Sequence, residues 1–293
     1  MTPPAFDPVT ALLAAHPGAT PEAIIDTRVD QLRDDLVALG VSLEPPLDLD
    51  TCTAALGISV SEMDDPAFGC DGALMEPAPG TFHIILNRAS GGRARRRFTL
   101  AHELVHTLVP DDPDRPRLRT PRPVAREDGV VERLVDRGAA RLLMHPDQFG
   151  PDLQAAALTP DGLLALARRY GASREATAVN AVRTWDGAVA IAFVRFAHRP
   201  STRAASLLHE RPRWRVERAF HTSSFPAYLH PGLAFADRGV VARAARAECQ
   251  VVDEERVGRE RPLHCRVAAR PLGRAGLEPP RVLAVIETDR QDG

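Results

Sequence analysis

Three side chains within a five-residue segment could together bind a metal ion and activate a water molecule. The segment is His102-Glu103-Leu104-Val105-His106, which places two imidazoles four positions apart with a carboxylate between them. On an α-helix, positions i and i+4 lie on one face, so both imidazoles can reach the same ion. The carboxylate would then stand near a water on that ion and could accept its proton. The spacing therefore predicts a hydrolytic metal site with His102 and His106 as ligands and Glu103 as general base.

A catalytic zinc site needs a third protein ligand, and acidic candidates follow in the next helical segment. Glu132 and Asp136 are four positions apart and share a helix face, so one can bind the ion while the other holds a ligand imidazole. We predict that Glu132 is the ligand and Asp136 the supporting carboxylate; the alternative is a surface ion pair with Arg133 or Arg137. His145 either lines the cleft and stabilises an oxyanion or is a helix-end histidine without a catalytic role. Zinc suits this donor set, with Mn²⁺ or Fe²⁺ as alternatives.

Regular elements are predicted around these residues. Apolar periodicity predicts a helix over 97–109 that carries the two histidines and another over 129–144 that carries the acidic pair. Short apolar runs at 73–75 and 82–86, joined by a turn rich in Pro, are typical of paired strands. The edge of such a sheet could accept a peptide as an added strand. Residues 110–128 hold five Pro and many charges, which predicts a surface loop.

The remaining segments predict additions on both sides of this core. Residues 1–19 are rich in Pro and Ala and predict a loose arm. Two further helical segments, at 160–170 and 173–185, follow the metal-binding region. From residue 188 onward the pattern changes to short strands and turns, with one helix near 238–247. The change in pattern predicts a boundary between two units at this point.

The composition supports real cores and does not by itself name a partner. An apolar fraction of 44% in 293 residues is sufficient for real cores, and a net charge of −2 indicates neither a nucleic-acid nor a membrane partner. The four Cys are scattered without a Cys-x-x-Cys pair, so we expect neither a disulfide framework nor a thiolate zinc site. No signal-peptide pattern opens the sequence, and the longest apolar run, 188–194, is far below the roughly 20 residues that span a bilayer. We therefore expect a cytoplasmic protein.

These motifs resemble those of the ImmA/IrrE family of metallopeptidases. Members show an R-F-T-x-A-H-E-x-x-H segment, which Arg97–His106 matches, and later an E-x-x-A-N-x-x-A-x-x-L-L-M-P segment, which begins here at Glu132. Val135 replaces the family's Ala, Asp136 replaces its Asn, and His145 intervenes before the Pro. The resemblance implies an α+β, zincin-like peptidase domain of the gluzincin type, in which a small sheet accompanies the helix with the His-Glu-x-x-His residues. It also implies that the two histidines and Glu132 bind zinc.

The layout of the whole chain extends the resemblance to the IrrE (PprI) radiation-response regulators. It implies a zinc metallopeptidase domain over 20–150, a helix-turn-helix-like helical segment over 151–187, and a GAF-like α/β sensor or interaction domain over 188–290. It further implies an endopeptidase that cleaves a helix-turn-helix transcriptional repressor. Such cleavage would induce a stress or DNA-damage (radiation) response.

Two alternatives from other functional classes stay open. One is a DNA-binding transcriptional regulator with a non-catalytic metal site, whose phosphate contacts would come from Arg168, Arg169, Arg174 and Arg183. The other is a phage-type antirepressor that opposes its repressor by binding. A chelator separates them from the peptidase, because DNA binding or repressor inactivation would survive removal of the metal.

Overall fold

The computed structural model describes residues 7–110, 128–198, 211–258, 262–273 and 281–288. Within these ranges the fold is mixed α+β, as predicted. The helices are α1 (Pro8–Ala15), α2 (Pro21–Ala38), α3 (Leu49–Ala55), α4 (Arg93–His106), α5 (Asp128–Leu143), α6 (Pro146–Ala156), α7 (Pro160–Tyr170), α8 (Arg174–Thr184) and α9 (Val240–Ala247). The strands are β1 (Ser59–Met63), β2 (Gly72–Ala78), β3 (Thr81–Asn87), β4 (Val189–Ala197), β5 (Arg213–His221), β6 (Val251–Val257), β7 (Leu263–Leu272) and β8 (Arg281–Glu287).

The chain forms two compact units. The first comprises the described residues of Met1–Pro146 together with Arg168–Ser173, and the second those of Asp147–Ala167 together with Arg174–Gly293. Helices α6 and α8 therefore belong with the C-terminal strands, while α7 contributes to both units. The division into domains over 20–150, 151–187 and 188–290 stays a prediction. The surface loop predicted at 110–128 lies almost wholly outside the described residues.

A three-stranded sheet supports the first unit. Its order is β1-β3-β2, with β1 parallel to the central β3 and β2 antiparallel to it. The predicted strand pair is thus present as β2 and β3, and β1 joins it on the other side. Leu74 of β2 and Ile84 of β3 are directly opposite each other and fully buried. Helix α4 packs against both of these strands, so the sheet sets the position of the helix that carries the two histidines.

Helix α5 is held between α2 and α4. Two salt bridges run along its α2 side, one between Arg137 and Asp26 and one between Arg141 and Asp30. Each guanidinium makes two hydrogen bonds to its carboxylate, at 2.6–2.8 Å. The two Asp residues are four positions apart on α2, and the two Arg residues are four positions apart on α5. The two bridges therefore fix both the rotation of α5 about its own axis and its position along α2.

The N-terminal segment is the clearest departure from the sequence analysis. The loose arm predicted for residues 1–19 is wrong where the structure describes it, because α1 spans Pro8–Ala15. The Asp7 carboxylate accepts hydrogen bonds from the backbone N–H groups of Val9 and Thr10, and Pro8 occupies the first helical position. Leu12 is fully buried. A capped single helix with one buried anchor is difficult to distinguish from a Pro- and Ala-rich arm by composition.

The second unit contains a five-stranded antiparallel sheet of order β5-β4-β8-β7-β6. Helix α9 packs on β6, β7 and β8, and its Val240 and Val241 join a cluster with Ala190, Ala192 and Val194 of β4. The alternate residues of β4 are equally buried, and α8 packs on β4 and β5. A strand covered on both faces has apolar residues at successive positions, which accounts for the apolar run at 188–194.

Among the described residues, no helix combines the length and the apolar composition needed to cross a membrane.

Candidate metal centre

Helix α4 is amphipathic, and its buried face fixes the direction of its histidines. Leu100, Leu104 and Val105 are fully buried. His106 is 2% exposed, and the His102 side chain 16%. His106 is therefore buried in the core and His102 lies nearer its edge, and both imidazoles are directed towards Glu132 of α5.

The side chains of His102, His106 and Glu132 converge. The two imidazole Nε2 atoms are 3.0 Å apart, and the rings meet edge to face with centroids 4.7 Å apart. Glu132 places Oε2 3.1 Å from Nε2 of His102 and Oε1 3.6 Å from Nε2 of His106. Within the described part of the chain, these three residues form a group whose donor atoms all lie within 4.8 Å of one another. The Glu132 side chain is 47% exposed, so the group is open to solvent on that side.

The spacing of these donors suits one four-coordinate ion. Zinc–ligand distances of about 2.0–2.1 Å at tetrahedral angles put the donors of one ion about 3.3 Å apart. The observed separations of 3.0, 3.1 and 3.6 Å bracket that value. Two imidazole nitrogens and one carboxylate also leave a fourth position for water or substrate. The residues present therefore fit a divalent cation in both number and spacing.

Asp136 holds the His102 ring from the opposite side. Its Oδ1 is 2.9 Å from Nδ1 of His102, and because an ionised carboxylate only accepts, Nδ1 carries the hydrogen. Nε2 is then the nitrogen that faces Glu132 and His106. Burial would lower the pKa of the His102 imidazole, but the hydrogen bonds to Asp136 and Glu132 and the charge of Glu103 outweigh burial and raise this pKa to about 9. The ring thus attracts positive charge, which a proton or a metal ion can supply.

Both acidic residues contact histidines of α4, and the alternative of surface ion pairs with Arg133 or Arg137 stays open. Glu132 faces both imidazoles, Asp136 contacts His102, and Arg137 is bound to Asp26.

Glu103 lies beside the donor group without belonging to it. Its side chain is buried, with 6% of the residue exposed, and its carboxylate is directed towards the start of β2. Cys70 lies nearby: burial, followed by the negative charge of Glu103, raises the pKa of the Cys70 thiol. Cys70 is therefore a poor source of a thiolate ligand.

His145 lies where α5 ends and contacts α2. Its Nε2 is 3.0 Å from Oδ1 of Asp30, and the residue is 8% exposed. It is not a member of the group formed by the two histidines of α4 and Glu132. Its predicted role in stabilising an oxyanion stays a prediction, and the contact with Asp30 gives it a place in the packing of α2 on α5.

Gly138 is a contributor that the sequence analysis missed. A Cβ atom there would lie 2.7 Å from Cγ1 of Val105 on α4 and 3.3 Å from Cγ2 of Val29 on α2. The absence of a side chain at Gly138 thus lets α5 approach both helices closely. Because Glu132 belongs to the same helix, its carboxylate is brought close to the imidazoles. One signal was available, since glycine inside a helix costs about 1 kcal/mol relative to alanine and is usually kept for a packing reason.

Residues 53–181 match the family model described as Peptidase_M78, IrrE N-terminal-like domain. The chain carries an IrrE N-terminal-like domain. The matched segment contains α4 and α5 and therefore the whole donor group together with Glu103. The match confirms, for residues 53–181, the resemblance to IrrE-type domains that the two motifs predicted. It also places the IrrE-like domain in a family of peptidases that are typically metal-dependent.

A comparison with solved structures finds similarity to a Mycobacterium tuberculosis transcriptional regulator. The two share 16% sequence identity over 90% of this chain and 76% of the other, with a TM-score of 0.48. A comparison with curated protein sequences gives no match.

Proposed function

We propose that this protein is a zinc-dependent endopeptidase whose IrrE-like domain cleaves a helix-turn-helix transcriptional repressor. The observation that carries the proposal is the convergence of His102, His106 and Glu132 from two helices at the spacing of ligands around one ion. A carboxylate next to that group, on the residue that follows the first ligand, supplies the base that peptide hydrolysis requires. The family match supports the same chemistry.

In this proposal His102, His106 and Glu132 bind the ion, and Asp136 keeps the His102 ring correctly oriented. His102 and His106 bind through Nε2, and Glu132 binds through a carboxylate oxygen. Asp136 accepts the Nδ1–H hydrogen bond of His102, which fixes the tautomer and makes the ring more basic. A divalent cation held there supplies Lewis acidity towards the scissile carbonyl and lowers the pKa of water. Zinc is preferred for this donor set, with Mn²⁺ or Fe²⁺ as alternatives.

Glu103 carries the proton in this scheme. Its carboxylate accepts a proton from the attacking water and later donates it to the nitrogen of the leaving amine. Its burial limits the rotamers available and keeps bulk water from competing for the carboxylate. Because the site opens on the side of Glu132, a peptide can approach while the base stays enclosed.

The edge strand β2 is the proposed docking place for an extended substrate segment. The order β1-β3-β2 leaves β2 at one edge of its sheet, and its first residue, Gly72, lies against Glu103. A peptide added along this edge by main-chain hydrogen bonds would pass next to the base. The choice of a repressor as substrate, and the stress or radiation response that its cleavage would induce, follow from the family resemblance alone.

The C-terminal strands form the proposed sensor or interaction part. Five antiparallel strands with α9 on one face are compatible with a GAF-like domain. We propose that this region binds a small ligand or a partner that regulates cleavage.

The test mixes the purified protein with helix-turn-helix repressors of the source organism, with Zn²⁺, Mn²⁺ or Fe²⁺ and with a chelator. One discrete, chelator-sensitive cut is the expected result. Glu103→Gln is the matched control: it should retain the metal and lose cleavage by at least about a hundredfold, since general acid–base catalysis contributes 10²–10⁴-fold. Cleavage by this variant at the parent rate would contradict the mechanism.

The two alternatives give different outcomes in the same experiment. Repressor inactivation without a cut, unaffected by the chelator, would favour an antirepressor. A salt-dependent shift of duplex DNA that survives chelation would favour a DNA-binding regulator with a non-catalytic metal site, through Arg168 and Arg169 on α7 and Arg174 and Arg183 on α8.

A further inference from the structure

Gly72, at the start of β2, faces α4 with no room for a side chain. A Cβ atom at this position would lie 2.6 Å from Cγ2 of Thr99, 3.2 Å from Oε1 of Glu103 and 3.2 Å from the carbonyl oxygen of Ile85. Its backbone is not in the left-handed region, so glycine is not required there for its conformation. The requirement is therefore one of space.

The three neighbours of Gly72 have little freedom to move away. Thr99 and Glu103 are four positions apart on α4, so they share the face that meets β2, and they are 7% and 6% exposed. Thr99 is β-branched and stiff about χ1. The Ile85 oxygen belongs to the backbone of the central strand β3. Of the three contacts, the Glu103 carboxylate ends the longest side chain and is the group most easily displaced.

We infer that Gly72 is a positioning residue for Glu103: by lacking a Cβ atom it leaves the space in which the carboxylate rests against β2. The inference rests on the proposed function, in which Glu103 is the general base. It adds a determinant outside the metal-binding motifs, on the strand proposed to receive the substrate. Any side chain at this position would move the carboxylate relative to the donor group.

The first variant is Gly72→Ala, with Gly92→Ala as matched control. Gly92 precedes α4, and a Cβ atom there meets nothing within 4 Å. For Gly72→Ala we expect kcat to fall about tenfold, less than the roughly hundredfold cost of a 1 Å misplacement, because the 3.2 Å contact with Glu103 requires a shift of only a few tenths of an ångström. KM and zinc affinity should change less than about threefold, because the ligands are not displaced. A kcat within about twofold of the parent would overturn the inference.

A second variant separates positioning from simple overpacking. In the double variant Gly72→Ala with Thr99→Ser, the Cγ2 atom that a Cβ at position 72 would meet most closely is removed. The 3.2 Å contact between that Cβ atom and Oε1 of Glu103 remains. A folded double variant with reduced kcat and unchanged zinc affinity supports positioning. A double variant with parental kcat, or one that fails to fold, assigns Gly72 to packing alone and overturns the inference.

Crystal structures of the metal-free parent, the double variant and Gly92→Ala provide a readout besides activity. We expect the Glu103 carboxylate to shift in the double variant by a few tenths of an ångström, the amount by which its 3.2 Å contact with a Cβ atom at position 72 must open, and not in the control. An unmoved carboxylate overturns the inference about Gly72 while leaving the peptidase proposal intact. Absence of cleavage by the parent with every metal instead overturns the peptidase proposal, and with it any catalytic role for this glycine.

Discussion

Replacing Asp136 tests how the donor group is oriented. Its carboxylate bonds Nδ1 of His102 at 2.9 Å, and its side chain is 55% exposed. Hydrogen bonds to charged groups contribute about 1.5–3 kcal/mol, and partial exposure to solvent puts this one near the lower limit. Since about 1.4 kcal/mol corresponds to a factor of ten, Asp136→Ala should weaken zinc binding roughly tenfold. Asp136→Asn, which keeps an oxygen acceptor without the charge, should lose less.

The pH dependence of this loss follows from the pKa of about 9 for His102 in the metal-free protein. Below that pH a proton occupies the ring and competes with zinc, so the affinity should rise with pH up to about 9 and then level off. Asp136 stabilises the competing proton too, and its removal lowers the pKa of the ring. The alanine variant should therefore lose most affinity above pH 9 and less at pH 7.

The assay is competition against a chromophoric chelator in zinc-buffered solutions at pH 7 and pH 9.5. An unchanged affinity at pH 9.5 would refute the orienting role of Asp136. A loss that grows as the pH falls would refute the assignment of the raised pKa to this contact.

Two further predictions concern the helices that support the site. Gly138→Ala adds a Cβ atom 2.7 Å from Cγ1 of Val105. Overpacking costs about 1–3 kcal/mol, whereas the gain in helix propensity is about 1 kcal/mol, so the variant should unfold at a lower temperature. Its zinc affinity should also fall, because Glu132 moves with α5. Unchanged affinity would show that the close approach of α5 does not matter to the site. Burial tends to raise the pKa of Asp30, but the hydrogen bond from Arg141 holds this pKa below its ordinary value. The ionised Asp30 carboxylate therefore stabilises the fold above about pH 4, and this stabilisation is lost as the pH falls through the folded-state pKa. Denaturant titrations between pH 5 and pH 3 should thus show a steeper loss for the parent than for Asp30→Asn, and equal slopes would contradict this.

The part of the site that could be predicted from sequence is the part fixed by local helix geometry. His102 and His106 share a face because they are four positions apart, and the same holds for Glu132 and Asp136. That these two faces meet is a tertiary fact, and the expectation came from the third ligand that a catalytic zinc site needs and from the family motif rather than from periodicity. The structure brings all four side chains together, and their roles at a metal ion stay a prediction.

The contributions that were missed depend on which elements pack together. The pairing of Arg137 with Asp26 joins residues 111 positions apart, and no local pattern indicates it. Gly138 is unfavourable within its own helix and favourable only because α2 and α4 approach it. His145 was a candidate for the cleft by its position in sequence, yet its Nε2 lies 3.0 Å from Oδ1 of Asp30 on α2, a contact that only the packed arrangement shows.

Zinc-edge anomalous diffraction from crystals of the zinc-loaded protein tests the central claim most directly. We predict a single strong peak about 2.0–2.1 Å from Nε2 of His102, Nε2 of His106 and a carboxylate oxygen of Glu132. A peak at another place, or a bound ion with the Glu132 carboxylate turned away from it, would contradict the account.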